Sequence, residues 1–260
     1  MNFICQQSSI EELKLLAASN RHSVLIEGPE GSGKSYLARQ YATMLGVPDF
    51  QEIVPKVDSI KEAIDTCLQI STPIVLSVEN LDCGVPAASY TLLKFLEEPL
   101  PNVYIVITCK NIKNVPDTII SRSVVVSTAP PVDVDISNYS ISKDIEKFKQ
   151  LQQSRIWRCV RTFKDADTVL GMDAEKLKYF TDLESIAKFR DTVSNLVWKI
   201  GHYNDNSETP VELVIRYLID LCNTSHIRQA GISCISDLTQ GRVAAHAAIA
   251  KFVFVCKYCE

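Results

Sequence analysis

Eight residues, Gly28-Pro29-Glu30-Gly31-Ser32-Gly33-Lys34-Ser35, combine three glycines with a lysine and a hydroxyl. They fit the pattern GxxxxGK[ST] in full. The small residues let the backbone curl until successive N–H groups aim at phosphate oxygens. A helix starting there adds the positive end of its dipole. Lys34 can neutralise the outer phosphates of a nucleotide, and Ser35 can ligate magnesium. An apolar strand candidate, Ser23 to Glu27, precedes the loop, and a helical pattern, Ser35 to Leu45, follows it. That context separates a phosphate loop from a glycine-rich turn with a chance lysine.

A second chemical element lies at Val78-Glu79-Asn80-Leu81-Asp82, where an apolar run ends in acids. This is the place of a Walker B element. Its first acid normally holds the magnesium shell, and its second activates the attacking water. Glu79 can serve the metal, with one methylene more than Asp. Asn80 can orient a water but cannot accept its proton, and general-base help amounts to roughly 10²–10⁴-fold. Binding should therefore survive while hydrolysis is slow. Asp82 is a substitute carboxylate whose position, two residues on, points elsewhere. The alternative is that Glu79 and Asp82 are solvated loop acids.

These groups need a scaffold, and the first half of the chain supplies one. Apolar runs at Ser23–Glu27, Pro73–Val78, Tyr104–Thr108 and Ser123–Ser127 alternate with helical patterns. Such alternation predicts an α/β fold with a parallel sheet covered on both faces. On the helix from Pro86, Ala88, Leu92, Phe95 and Leu96 make one apolar stripe. Glu97 and Glu98 crowd its C-terminal end, where the dipole disfavours anions. They either invite a cation, from this chain or a neighbour, or stay solvated. Ala129-Pro130-Pro131 breaks the pattern. Beyond it, helices are expected over Ile145–Val169, Ala174–Ile200, Pro210–Cys222 and Val243–Cys256, with Gly171, Gly201, Gly231 and Gly241 as punctuation. Trp157 and Trp198 are expected to pack in the core.

The bulk numbers exclude some classes. The net charge of −4 does not favour coating by nucleic acid through charge alone. No stretch of ~18 apolar residues exists, so no membrane span is expected. The start of the chain is neither basic nor continuously apolar, as a secretory segment would be. The nine cysteines are scattered and odd in number, which suits reduced thiols in the cytoplasm. Cys256 and Cys259 form a lone CxxC that lacks the second pair a zinc site needs. The four histidines have no ligand spacing.

Several segments together resemble the clamp-loader ATPase subunits of bacterial DNA polymerase III, delta-prime and gamma/tau, within the AAA+ superfamily. Leu92-Leu93-Lys94-Phe95-Leu96-Glu97-Glu98-Pro99 resembles their LLKxLEEP segment. Val115-Pro116 through Ser121-Arg122 resembles their (L/I)PxTIxSRC element, with Ser123 for the cysteine. Tyr104 to Thr108 is similar to the sensor-1 strand, Ile4-Cys5-Gln6 to the opening IxGQ, and Pro48 to Pro55 to the strand after the phosphate loop. The resemblance covers residues 1 to about 130. Two departures are the Glu79-Asn80 pair and the missing zinc-binding cysteine insertion. Short length and divergence suggest a compact member, such as a virus or mobile element carries, working in the bacterial cytosol or an infected host cell.

The resemblance implies an AAA+ domain over residues 1–129, a helical lid over 130–192 and a collar for oligomer contacts over 193–260. It implies ATP and Mg2+ as ligands, Ser35 and Glu79 on the metal, and Thr108 sensing the terminal phosphate; a plain polar strand end is the alternative for Thr108. It implies that Arg122 reaches a neighbour's ATP in trans, against the alternative of a buried ion pair. Arg155, with Arg158, is a candidate for the sensor-2 arginine of the lid. The partners implied are other clamp-loader subunits, a sliding clamp and primer–template DNA. A hydrolysis-deficient stator of the same complex and another AAA+ replication factor, such as a helicase loader, are the competing expectations.

Overall fold

The apolar runs pair side by side. β1 (Ser23–Glu27), β2 (Asp49–Ile53), β3 (Ile74–Val78), β4 (Val103–Cys109) and β5 (Val124–Ser127) form one parallel sheet in the order β2-β3-β4-β1-β5. This is seen in a computed structural model that describes residues 6–182, 192–207, 211–222, 224–239 and 243–258. The chain divides into two compact units, Met1–Asp135 and Ile136–Glu260.

In the first unit, side chains alternate between the sheet's two faces. Val24 and Ile26 join Leu13, Leu37 and Tyr41 on one side, while Leu25 joins Ile60, Leu92 and Phe95 on the other. The first face is covered by α1 (Gln7–Ala18) and α2 (Lys34–Leu45), the second by α3 (Val57–Gln69) and α4 (Pro86–Glu97). All five residues of β3 are buried, and all but Ser77 are apolar, the signature of a strand covered on both faces. The α4 stripe of Ala88, Leu92, Phe95 and Leu96 is buried as its spacing predicted. Pro86 opens α4 at a position where a missing N–H costs nothing. Gly46, at φ 70°, closes α2 in the left-handed conformation.

β1 carries the phosphate loop between the central strand β4 and the edge strand β5. Ligands of parallel sheets bind beyond the carboxyl ends of the strands, and here β1, β3 and β4 all end on that side. α5 (Asp117–Ile120), begun by Pro116, leads to Arg122 and β5.

The second unit is helical among the described residues, as expected, but its elements are cut differently. α6 (Asp133–Lys143), which runs into it, was not foreseen. The long helix expected over Ile145–Val169 is α7 (Ile145–Leu151), a 3-10 turn at Trp157–Cys159 and α8 (Phe163–Gly171). The break has a chemical cause: Thr162 and Asp165 form a capping box that starts α8 afresh. α9 (Ala174–Asp182) and α10 (Val193–Ser207) occupy the next span, with 183–191 outside the described residues. α11 (Val211–Cys222), α12 (Ser225–Thr239) and α13 (Ala245–Tyr258) complete the unit.

Gly201 and Gly231 are not punctuation, since they lie inside α10 and α12. At Gly231 a Cβ would stand 2.3 Å from the Ile219 side chain, so this glycine permits close packing of α12 on α11. Gly241 lies outside the described residues. Trp157 packs edge-on against Phe148, as a core aromatic would. Trp198 does not fit that expectation: it is 60% exposed on α10. Among the described residues no helix is long and apolar enough to cross a membrane.

Candidate functional site: the phosphate loop and the strand ends beside it

The loop between β1 and α2 is built for close approach. Gly31 and Gly33 have φ of 74° and 89°, a region that side-chain-bearing residues rarely enter. A Cβ on Gly28 would lie 1.8 Å from the Thr128 hydroxyl, so only glycine passes beneath that side chain. The Thr128 hydroxyl pairs with Ser32 Oγ at 2.7 Å and donates to the Glu27 carbonyl at 3.0 Å. The Gln6 amide adds a clamp, donating from Nε2 to the carbonyls of Ser32 and Ala129 and accepting at Oε1 from the Ala129 N–H.

Lys34 is the first residue of α2 and is buried. Its ammonium donates to the Gly28 and Pro29 carbonyls, each at 2.8 Å. Burial lowers its pKa from the ordinary lysine value; Lys110 pushes the same way, while Glu30 and Asp82 oppose. The positive charge is thus folded onto its own loop and partly stripped of water. Ser35, the next residue, is exposed at the start of the helix.

β3 and β4 deliver the remaining groups. Glu79 follows β3 and is half-buried. Asn80 takes a left-handed conformation, φ 50° and ψ 54°, and its N–H donates to Thr108 Oγ1 at 2.9 Å. Thr108 is buried. The structure therefore joins the candidate water-orienting residue and the candidate sensor directly. The left-handed turn also gives a second reason for Asn at 80, because Asn enters this region more readily than Glu.

Asp82 faces away from a simple base role. Its Oδ2 accepts from the N–H groups of Lys110 and Asn111, at 3.0 and 3.1 Å. Its Oδ1 is buried with no hydrogen-bond partner among the described residues. The turn after β4 is held from the other side too, since the Ile112 N–H donates to Glu27 Oε1 at 3.1 Å. The glycine cradle, Lys34, the exposed Ser35 and Glu79 are residue types that can hold a magnesium-bound polyphosphate, whereas Asp82 is spent on the turn after β4.

Arg122 is placed differently. Its Nη2 donates to Glu97 Oε1 at 2.8 Å and its Nη1 to the Thr118 carbonyl at 3.0 Å. The pair is open to solvent, 36% for the arginine side chain and 51% for the glutamate. A buried ion pair is therefore not what this residue forms. The cation that Glu97 invites comes from within the chain.

The comparisons point to one fold. A family model described as DNA polymerase III, delta subunit, matches residues 51–131, and one described as magnesium chelatase, subunit ChlI, matches residues 1–73. A DNA polymerase III gamma subunit-related protein from Thermotoga maritima superposes with a TM-score of 0.57 at 18% identity, over 96% of this chain and 98% of that one. The phosphate loop unit has the AAA+ fold. The Thermotoga maritima RuvB Holliday junction branch migration motor also matches, with a TM-score of 0.54 at 13% identity, over 97% of this chain and 87% of that one. No curated protein matches in sequence. The AAA+ chain resembles DNA polymerase III subunits, as LLKFLEEP and the Ser121-Arg122 element imply.

Other candidates fall outside the AAA+ unit. Arg155 belongs to the helical unit, where its Nη1 donates to the Asp220 carbonyl at 2.9 Å and to Asp220 Oδ2 at 3.2 Å. Arg158 is exposed. Cys259, Ile4 and Cys5 lie outside the described residues. The cysteines at 67, 83, 109, 159, 234 and 256 are free thiols, and no metal-holding cluster occurs among the described residues. Thr128, Gln6 and Lys110 were missed as parts of the AAA+ site. Thr128 left no signal, being one more polar residue at a strand end. Gln6 was visible only as a letter in a resemblance. Lys110 could have been suspected as a cation directly after β4.

Proposed function

We propose that this chain is an ATP-binding subunit of a DNA polymerase sliding-clamp loader. In that role Lys34 leaves its loop carbonyls for the outer phosphates of ATP, and Ser35 and Glu79 hold Mg2+. The metal supplies charge neutralisation at the phosphates. Thr108 and Asn80 move as one unit because their hydrogen bond joins them. Residues 130–192 and 193–260 act as lid and collar, with Arg155 or Arg158 as sensor-2 arginine. Nucleotide binding couples to assembly with other loader subunits, and the assembly opens a sliding clamp at primer–template DNA.

The observation that carries this reading is the pairing of a complete phosphate cradle with an arginine displayed at the surface. Arg122 sits on Glu97 and Thr118, not on the loop of its own chain. An exposed ion pair is worth about 0–1 kcal/mol, so a neighbour's phosphate can displace the glutamate at small cost. Fluorescent ATP titration with Mg2+ tests the first half: binding is expected for the wild type and lost in Lys34→Ala. Steady-state turnover of the reconstituted loader tests the second: Arg122→Ala lowers turnover at a partner's site while this chain's own affinity stays.

A second reading is a stator that binds ATP and does not hydrolyse it. Asn80 favours it, since an amide held in a left-handed turn replaces the proton acceptor. Single-turnover hydrolysis by the assembled complex, with Lys34→Ala in this chain alone, separates the two. An unchanged rate identifies the stator.

A further inference from the structure

Glu30 stands inside the phosphate loop, between Pro29 and Gly31. Every other feature of that loop attracts anions: the curled N–H groups, the start of α2 and Lys34. A carboxylate in this loop opposes a ligand that carries several negative charges, even though its side chain is 54% exposed. The Lys34 ammonium itself rests on the Gly28 and Pro29 carbonyls.

The direct contact comes from Lys110, whose Nζ lies 2.7 Å from Glu30 Oε2. This is not an ordinary surface lysine. Its own N–H and that of Asn111 bind Asp82 beyond β3, and the Ile112 N–H binds Glu27 at the end of β1. Its backbone is therefore fixed from both flanking strands, and its side chain is 33% exposed. Burial works against the ammonium, but the hydrogen bond and charge of Glu30 outweigh it and raise the Lys110 pKa. The cation stays charged while it reaches across the mouth of the loop.

We propose that Lys110 is a positioning residue for nucleotide binding: it neutralises Glu30 and ties the turn after β4 to the phosphate loop, so that the loop accepts a polyphosphate. The assignment rests on the ATP-binding reading above. A plain surface pair would behave otherwise, since its loss would shift stability slightly and leave ligand affinity unaffected by ligand charge.

The test is a double-mutant cycle on the full chain, with fluorescent ATP and ADP as probes in Mg2+ buffer. Lys110→Met leaves Glu30 facing the phosphates and is expected to weaken ATP about tenfold, and ADP less, as the charge product falls. Glu30→Gln tightens ATP by roughly threefold. The double variant Lys110→Met/Glu30→Gln returns to within about twofold of wild type, and Lys110→Arg restores what Lys110→Met loses. A double variant that stays about threefold or more weaker than wild type, as simple additivity gives, or equal losses for ATP and ADP, overturn the proposal while the phosphate loop reading stands. If neither wild type nor Lys34→Ala binds any nucleotide, the ATP-binding reading itself fails, and the proposal with it.

Discussion

Asp165 in the helical unit and the strand ends of the AAA+ unit use the same chemistry to opposite ends. Asp165 is buried and fully partnered: it accepts from the N–H groups of Arg161 and Thr162 and from both terminal nitrogens of Arg216, at 2.8 to 3.1 Å. The pair is closed to solvent, 19% for the arginine side chain and 4% for the aspartate. In the AAA+ unit the polar groups keep capacity in reserve. Arg122 is open to water, Lys34 is parked on carbonyls, and Asp82 Oδ1 has no partner among the described residues. A closed network holds a fold together; the groups at the strand ends are less completely partnered or more open to water.

The contrast can be broken at its strongest point first. Asp165→Ala removes the counter-charge of a largely buried guanidinium, which keeps only the Glu212 and Cys159 carbonyls, and is expected to cost about 3 kcal/mol in urea unfolding. A loss below ~1 kcal/mol would show the network to be as dispensable as a surface pair. Gly28→Ala comes next. Its new methyl collides with Thr128 and should cost about 1–3 kcal/mol as an overpacked site, with ATP binding lost in the same titration. Gly28→Ala/Thr128→Ala should recover part of both, because the nearest colliding atom is gone.

Asn80→Glu sharpens the comparison from the other side. A larger side chain in the left-handed turn should lower stability by about 1 kcal/mol, read as a drop in melting temperature. If the missing proton acceptor limits hydrolysis, turnover per site should rise at least about a hundredfold, within the range of roughly 10²–10⁴ for a general base. The smallest effect belongs to Glu97→Gln. Its stability change should stay under about 1 kcal/mol, whereas Asp165→Asn in the same assay should exceed it. A larger loss at Glu97 would turn the Arg122 pair into a structural contact.

The sequence made the site visible where chemistry demands both residue type and spacing. Gly28 to Ser35 had to be a phosphate loop because no other use needs three glycines before a lysine at a helix start. β3 was visible because burial on both faces leaves a nearly continuous apolar run, Ile74 to Val78, interrupted only by Ser77. β2 was different: Asp49–Ile53 is an edge strand with mostly exposed side chains, so only the family resemblance located it. The helical unit was legible as helical but not in its cuts, because the capping box at Thr162 lies inside a pattern that runs on apolar spacing. Gly231 misled because a glycine that permits packing and one that ends a helix look alike in one dimension. The pairs Glu97–Arg122, Lys110–Glu30 and Ser32–Thr128 join residues from 25 to 96 positions apart, and no local pattern announces them.

Gln6 carries a constraint of its own. One side chain gives a hydrogen to two carbonyls and takes one from an N–H, all at the rim of the loop. A primary amide can donate two hydrogens and accept a third at once. Glutamate would set an anion against two carbonyl oxygens, and asparagine would fall a methylene short. Position 6 is therefore a two-way plug with a single fitting, and an exchange there reaches the nucleotide cradle without touching any residue of the motif.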